Sequence, residues 1–318
     1  SFLGNAAFGF LPKFGLKNPF HFFLFFNFLI GAGNGILESL TNALVIHLNE
    51  EKSSLYLNLA HAFFALGAVV APLVGGWILL ISGWQMIFQL NAAVSFVLLI
   101  SFLPQKCPTF RSSEKISLKS LLYIVKSKIF LLINLCIAFY IAAEAGLMAW
   151  LVEYVRINPY FKLPQFEAGL FLTYFWLAML IGRFIYGWWV EKTSPTFALC
   201  ISSLGGAAAT GLFLTTTNIN FASFLIFACG IFLSGMYATI FSFAGYRFPQ
   251  YLGVVSGSMT AWVGVGGIIS PVVIGRLSET QGVGLSGGLA TCSFYLLGVF
   301  IITLFLSSIG VSEPKKCT

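Results

Sequence analysis

Long, uninterrupted apolar runs recur along this 318-residue chain and are separated by short polar links. A helix of about 20 apolar residues spans a bilayer core. A membrane barrel would instead show short segments of alternating polarity. Charged residues make up only 8% of the chain, against about 25% in soluble domains. The chain is therefore predicted to be an all-α, multi-pass membrane protein.

The apolar runs predict nine complete spans, preceded by a partial span that ends near residue 11. The complete spans are expected at residues 20–47, 57–81, 84–103, 129–155, 167–190, 197–215, 221–246, 254–276 and 287–309.

The longest polar segment, residues 104–128, carries six basic residues against one acid, Glu114. If this segment is cytoplasmic, twelve Lys and Arg residues fall on the inner side and five on the outer side. That asymmetry agrees with the positive-inside rule and places the C-terminal tail, 310–318, in the cytoplasm. The net charge of +7 then reflects orientation in a cell membrane, and no nucleic-acid partner is expected.

Spans before and after the basic segment share a repeated pattern. The motif G-x4-P-x3-G begins at Gly67 and again at Gly266, and at the same offset Glu38 aligns with Tyr237. Two parallel repeats of this kind form transporters with the substrate site near the bilayer midplane. The chain is predicted to hold two pseudo-symmetric helical bundles, the second with six spans.

The predicted domains follow from this repeat. Residues 1–103 form the remainder of an N-terminal bundle, 104–128 the inter-bundle loop, 129–309 the C-terminal bundle and 310–318 the tail. Because the first copy is shorter and Ser1 lies inside an apolar run, we expect about 70 further residues upstream, roughly two and a half helices.

Glu38 is an acid near the middle of an otherwise apolar span. Asn34, Glu38 and Asn42 are spaced by four residues, so they form one polar stripe on that helix. A carboxylate is costly inside a membrane, which makes it a candidate for reversible protonation in a proton-coupled carrier. The alternative is a structural carboxylate paired with a basic side chain of a neighbouring helix.

Five short motifs in order resemble the fucose:proton symporter family of the major facilitator superfamily. They are LESLTNALV (37–45), LNLAHAFFALGA (57–68), P-x2-GG (72–76), AAEAGLMAWLVEY (142–154) and FWLAMLIGR (175–183). The resemblance covers essentially the whole chain. It implies the major facilitator fold with its N-terminal helices missing, and transport of a small solute by alternating access.

The resemblance also implies roles for individual residues. Glu38 occupies the place of the family's protonatable glutamate, and Asn42 that of an asparagine one turn later. His61 stands where fucose carriers have a glutamine, and Phe64 where they have an asparagine, so the pocket is less polar and fucose itself is in doubt. The family's second acid lies in a first helix that this chain does not include.

Further candidates for substrate binding come from the residues themselves. Asn58 and His61 share a helical face, and His61 is either a hydrogen-bonding group or a titrating one. Glu144 either binds substrate hydroxyls or joins two helices. Tyr237, the repeat partner of Glu38, is expected to face the same cavity. The indoles that would stack on a sugar are Trp176 and Trp262.

The sequence GRFIYG followed by Glu191 and Lys192 resembles the cytoplasmic loop motif of the superfamily. Arg183, Glu191 and Lys192 are therefore expected to form a charged gate at the inner end of their helix. No nucleotide-binding loop, metal-ligand cluster or catalytic triad is evident, so no enzyme activity, metal or cofactor is predicted.

The predicted function is secondary transport of a sugar or similar polar solute, as proton symport through Glu38. The predicted partners are the bilayer, a sugar-like solute and protons, and the carrier is expected to be monomeric. Two alternatives stay open: a non-transporting membrane protein or receptor remnant, and a complete ten-span drug or metabolite carrier.

Overall fold

The structure is a computed structural model that describes residues 2–10, 20–104 and 124–308, without the side chains at positions 72, 73, 76, 79 and 80. Most of the predicted 104–128 loop and the 310–318 tail therefore lie outside the described residues. Apart from two short 3₁₀ turns, the described elements are α-helices. Their bounds are α1 Phe2–Phe10, α2 Phe20–Leu48, α3 Ser53–Ser82, α4 Trp84–Phe102, α5 Lys128–Ile157, α6 Gln165–Lys192, α7 Pro195–Thr215, α8 Ile219–Leu233, α9 Met236–Arg247, α10 Leu252–Ser278 and α11 Gly284–Ser308.

Nine segments of the described chain are long and apolar enough to cross a membrane. The helices α8 and α9 together make one of them, Ile219–Arg247. The predicted number of complete spans and the all-α fold class are thus confirmed for the part of the chain that the structure describes. The chain is a multi-pass membrane protein.

The chain divides into two compact units. The first comprises Ser1–Thr41 and Val70–Ile116, and it contains α1, most of α2, the end of α3 and α4. Aromatic packing dominates here, because the Phe8 ring stacks on Phe88 at 4.3 Å and contacts Phe23 at 4.7 Å. The Gln89 amide also donates to the Gly9 carbonyl at 3.1 Å.

The second unit comprises Asn42–Val69 and Ser117–Thr318. It contains the last turns of α2, the first half of α3 and the helices from α5 to α11. Its core is built from fully buried side chains of several helices, for example Tyr140 of α5, Phe175 of α6 and Phe213 of α7. Cys136, Cys229 and Cys292 are buried in the same core as small side chains.

Close packing of α5 against α10 depends on the second G-x4-P-x3-G motif. Gly266 lies so near the Ala138 carbonyl that a side chain there would overlap it. One end of the motif, Gly275, leaves room for the Trp150 ring, whose indole N–H donates to the Pro271 carbonyl at 3.0 Å. Small residues allow backbones to approach in this way in membrane helices. The first motif contains positions whose side chains are outside the described residues.

Candidate functional site

Three of the predicted site residues meet inside the second unit. Asn42 from the end of α2 donates through its Nδ2 to the Tyr237 hydroxyl at 3.3 Å. The His61 Nε2 of α3 lies 3.1 Å from the Asn42 Oδ1, a hydrogen bond that requires the proton on Nε2. Asn42 is only 3% exposed, and these two hydrogen bonds give each end of its amide a partner within the protein. We call Asn42, His61 and Tyr237 the amide cluster.

Aromatic rings hold the amide cluster in place. The Tyr237 ring stacks on Phe241 at 4.6 Å and contacts the His61 ring at the same distance. Tyr140 of α5 approaches the Tyr237 ring edge-on at 6.4 Å. Apolar ring faces beside amide and phenol groups can bind a solute that has both hydroxyl groups and an apolar face.

Glu38 and Asn34 lie earlier on α2, in the first compact unit. Glu38 is half-buried and Asn34 is exposed. Glu38 is one helical turn before Asn42, so the two share a face of α2. The role of Glu38 as the proton carrier, and that of Asn34 in substrate binding, stay predictions.

Asn58 is fully buried on α3, one turn before His61. Its amide nitrogen donates to the Ser54 carbonyl at 2.9 Å, while its Oδ1 is buried without a hydrogen-bond partner among the described residues. The neighbouring surface belongs to α6, because a side chain at Gly187 would lie 3.3 Å from the Asn58 Cβ. Asn58 thus lies where α3 and α6 touch.

Arg183 lies deeper in α6 than the sequence suggested. It precedes the helix end at Lys192 by nine residues, about 13 Å along the axis. Its side chain is only 3% exposed, and its Nε and Nη1 are buried without hydrogen-bond partners among the described residues. Its positive charge acts on His61 and on Tyr140. A gating role for Arg183 stays a prediction.

Three other predicted residues belong to the second unit. Glu144 is 8% exposed and follows Tyr140 by one turn of α5. Trp176 is buried on α6 and meets the Phe64 ring of α3 edge-on at 6.0 Å. Trp262 of α10 is half-buried and packs on the core.

The remaining gate candidates lie at the end of α6. Glu191 is half-buried and Lys192 is exposed. The Lys192 ammonium lies 3.7 Å from the Trp188 ring centroid, a cation–π contact on the helix surface.

Hydrogen bonds between hydroxyl groups join the start of α3 to α9 in the second unit. The Ser53 and Ser242 hydroxyls form a short hydrogen bond, and Ser54 lies 3.3 Å from the Thr239 hydroxyl. The sequence alone does not indicate these residues, because isolated Ser and Thr residues are common at helix ends. It also missed Tyr140, although its spacing of four residues from Glu144 places both on one helix face.

Comparison with known proteins gives a consistent result. Residues 1–271 match the sequence profile of the Major Facilitator Superfamily. The chain is 28% identical over 273 residues to a glucose/galactose transporter of Brucella abortus, covering 81% of this chain and 66% of the relative. It is 24% identical over 277 residues to the putative niacin/nicotinamide transporter NiaP of Bacillus subtilis, covering 80% and 66%.

Solved structures agree on the fold. FucP in the outward conformation superposes with a TM-score of 0.80 at 22% identity, covering 96% of this chain and 80% of that one. The human organic anion transporter MFSD10 gives a TM-score of 0.75 at 18% identity, covering 95% and 75%. The fold expected from the sequence motifs is confirmed.

Proposed function

Because the chain belongs to the Major Facilitator Superfamily, we propose that it is a secondary carrier for a sugar or similar small polar solute. The amide cluster is the observation that supports this proposal most directly. It combines two amide or imidazole groups and a phenol with stacked rings inside an apolar bundle. Polar groups of this kind in a membrane bundle line substrate pathways.

The relatives support a small solute. The names of two curated relatives give glucose, galactose, niacin and nicotinamide as their solutes. The chain spans about two thirds of the length of these relatives, namely 66%. Among these solutes a hexose fits the paired amide, imidazole and phenol groups of the amide cluster, since each can bond a hydroxyl group.

In the proposed mechanism Glu38 carries the coupling proton. A protonated carboxyl group loses the cost of a charge inside the membrane, so the loaded carrier can change its access from one side to the other. Glu38 is one turn from Asn42 on α2, which allows the proton and the solute to influence the same helix. One proton moving down a gradient of one pH unit supplies about 1.4 kcal/mol, enough for tenfold accumulation of a neutral solute.

The contacts between α3, α6 and α9 would close one end of the pathway. The Ser53–Ser242 hydrogen bond and the approach of Gly187 to Asn58 have to separate for a solute to leave on that side. By the positive-inside rule this side is the cytoplasm, as is the C-terminus. We propose a monomer in a cell membrane.

Uptake into vesicles tests this function. We expect labelled glucose or galactose to accumulate when an inward proton gradient is imposed on vesicles that contain the full-length protein. Glu38→Gln is expected to abolish accumulation above equilibrium but to retain exchange between internal and external solute. The matched control is Glu153→Gln, an exposed acid paired with Arg156 at 2.8 Å.

Two results would count against the proposal. Equal accumulation by the wild type and by Glu38→Gln would make Glu38 a structural residue. Absence of uptake of any solute by a folded protein would favour the second candidate, a membrane protein that does not transport.

A further inference from the structure

Arg183 is a positively charged residue that is buried in the second unit. A guanidinium group stays protonated in proteins and is expensive to bury without an anion. Yet Arg183 is 3% exposed, with two of its nitrogens unbonded.

The position of Arg183 is fixed by two contacts between α3 and α6. Trp176 meets Phe64 at one level, and Gly187 meets Asn58 at another. Arg183 falls between Trp176 and Gly187 on α6, and His61 falls between Asn58 and Phe64 on α3. The two side chains therefore occupy the same stretch of the contact, in agreement with the electrostatic action of Arg183 on His61.

The groups around Arg183 are mostly neutral hydrogen-bonding groups. His61 faces it from α3, and the buried Tyr140 phenol of α5 is close enough to respond to its charge. Glu144 acts on the same phenol from the next turn of α5.

We propose that Arg183 binds a carboxylate of the transported solute, so that the preferred solute class is a sugar acid rather than a neutral sugar. This inference rests on the proposed transport function. The guanidinium fork matches a carboxylate through two parallel hydrogen bonds, while the amide cluster holds the hydroxyl groups of the ring. Because Arg183 is buried in this conformation, the carboxylate reaches it as α3 moves away from α6.

The test compares two probes that share a ring and differ in charge, glucuronate and glucose. We expect wild-type vesicles to take up glucuronate about 10- to 100-fold better at equal low concentration, since hydrogen bonds to a charged group contribute about 1.5–3 kcal/mol. Arg183→Met is expected to lose that preference, so that the ratio of glucuronate uptake to glucose uptake, measured in the same variant, falls by that factor. Arg183→Lys keeps the positive charge but lacks the guanidinium fork, and we expect it to lose most of the preference for glucuronate. Arg156→Met, at an exposed arginine, is the matched control.

Thermal unfolding of the purified protein provides a second readout that does not need transport. Glucuronate, but not glucose at the same concentration, is expected to raise the apparent Tm of the wild type and not that of Arg183→Met. Arg183→Met itself is expected to fold, because it removes the cost of keeping a charge out of water.

The outcomes separate the two proposals. Uptake of glucose without uptake or binding of glucuronate overturns the carboxylate site and leaves the transport function standing. An unchanged preference for glucuronate in both Arg183 variants places the carboxylate elsewhere and overturns the assignment. Loss of stability in Arg183→Met, with no effect of glucuronate on the wild type, would instead show that Arg183 pairs with an acid of the protein. Failure of both probes to enter, with glucuronate still stabilising the wild type alone, would refute transport but support the site.

Discussion

Tyr237→Phe removes one hydroxyl group from the amide cluster and leaves its ring. The Asn42 Nδ2 then loses the acceptor that lies 3.3 Å away, while Asn42 itself is 3% exposed. Leaving a buried donor unsatisfied costs about 1–3 kcal/mol. Each kcal/mol lowers the Tm of a chain of roughly this size by about 2–4 °C, so we expect a decrease of about 2–12 °C.

The assay is thermal unfolding in detergent at one fixed scan rate, because membrane proteins unfold irreversibly and an apparent Tm depends on that rate. Tyr246→Phe is the matched control: it makes the same change on α9 at a side chain that is 45% exposed. We expect the control to unfold like the wild type, because water can replace any partner that its hydroxyl group loses.

A double-mutant cycle isolates the contact itself. Asn42→Leu removes the other partner, and the combined variant is expected to be less destabilised than the sum of the two single variants, by at least about 0.5 kcal/mol. Strict additivity, or a Tm of Tyr237→Phe equal to that of Tyr246→Phe, would refute the argument that this hydrogen bond stabilises the cluster.

Two further predictions concern helix packing and access. Gly266→Ala is expected to lower the apparent Tm, because the added methyl group would overlap the Ala138 carbonyl. Gly264→Ala is the control and is expected to have little effect, since no atom lies within 4 Å of the added methyl group. Equal Tm values for the two variants would refute the close approach of α5 and α10. Cysteines introduced together at Ser53 and Ser242 are expected to cross-link on oxidation and to stop uptake until a reductant is added. Neither single cysteine variant is expected to lose uptake on oxidation. Uptake by the cross-linked carrier would show that this contact does not have to open.

The sequence predicted the spans well because the length of an apolar run is nearly sufficient to define a membrane helix. The internal repeat also predicted that Tyr237 faces the same cavity as the polar stripe of α2, because it aligned Tyr237 with Glu38 in that stripe. The structure brings Tyr237 to Asn42 and His61, all three of them candidates from the sequence. Their role in binding a solute is a prediction that awaits transport data.

The sequence did not predict which helix faces meet. Lipid-facing and core-facing surfaces are both apolar, so the polarity pattern that orients helices in soluble proteins is weak here. Asn34, which shares the stripe with Asn42, is exposed while Asn42 is buried. The motif at Arg183 indicated the end of a helix, but polarity did not show which neighbour covers this residue. In the structure its side chain is buried beside α3.

The most direct test of a proton-coupled carrier measures proton movement itself. Vesicles that contain the full-length protein, in weak buffer and without any imposed gradient, receive the best-transported unlabelled solute while the external pH is recorded. If proton coupling through Glu38 is correct, the external medium becomes alkaline in step with solute entry for the wild type, and Glu38→Gln shows no pH change. Entry of labelled solute into wild-type vesicles with no change in external pH would contradict it.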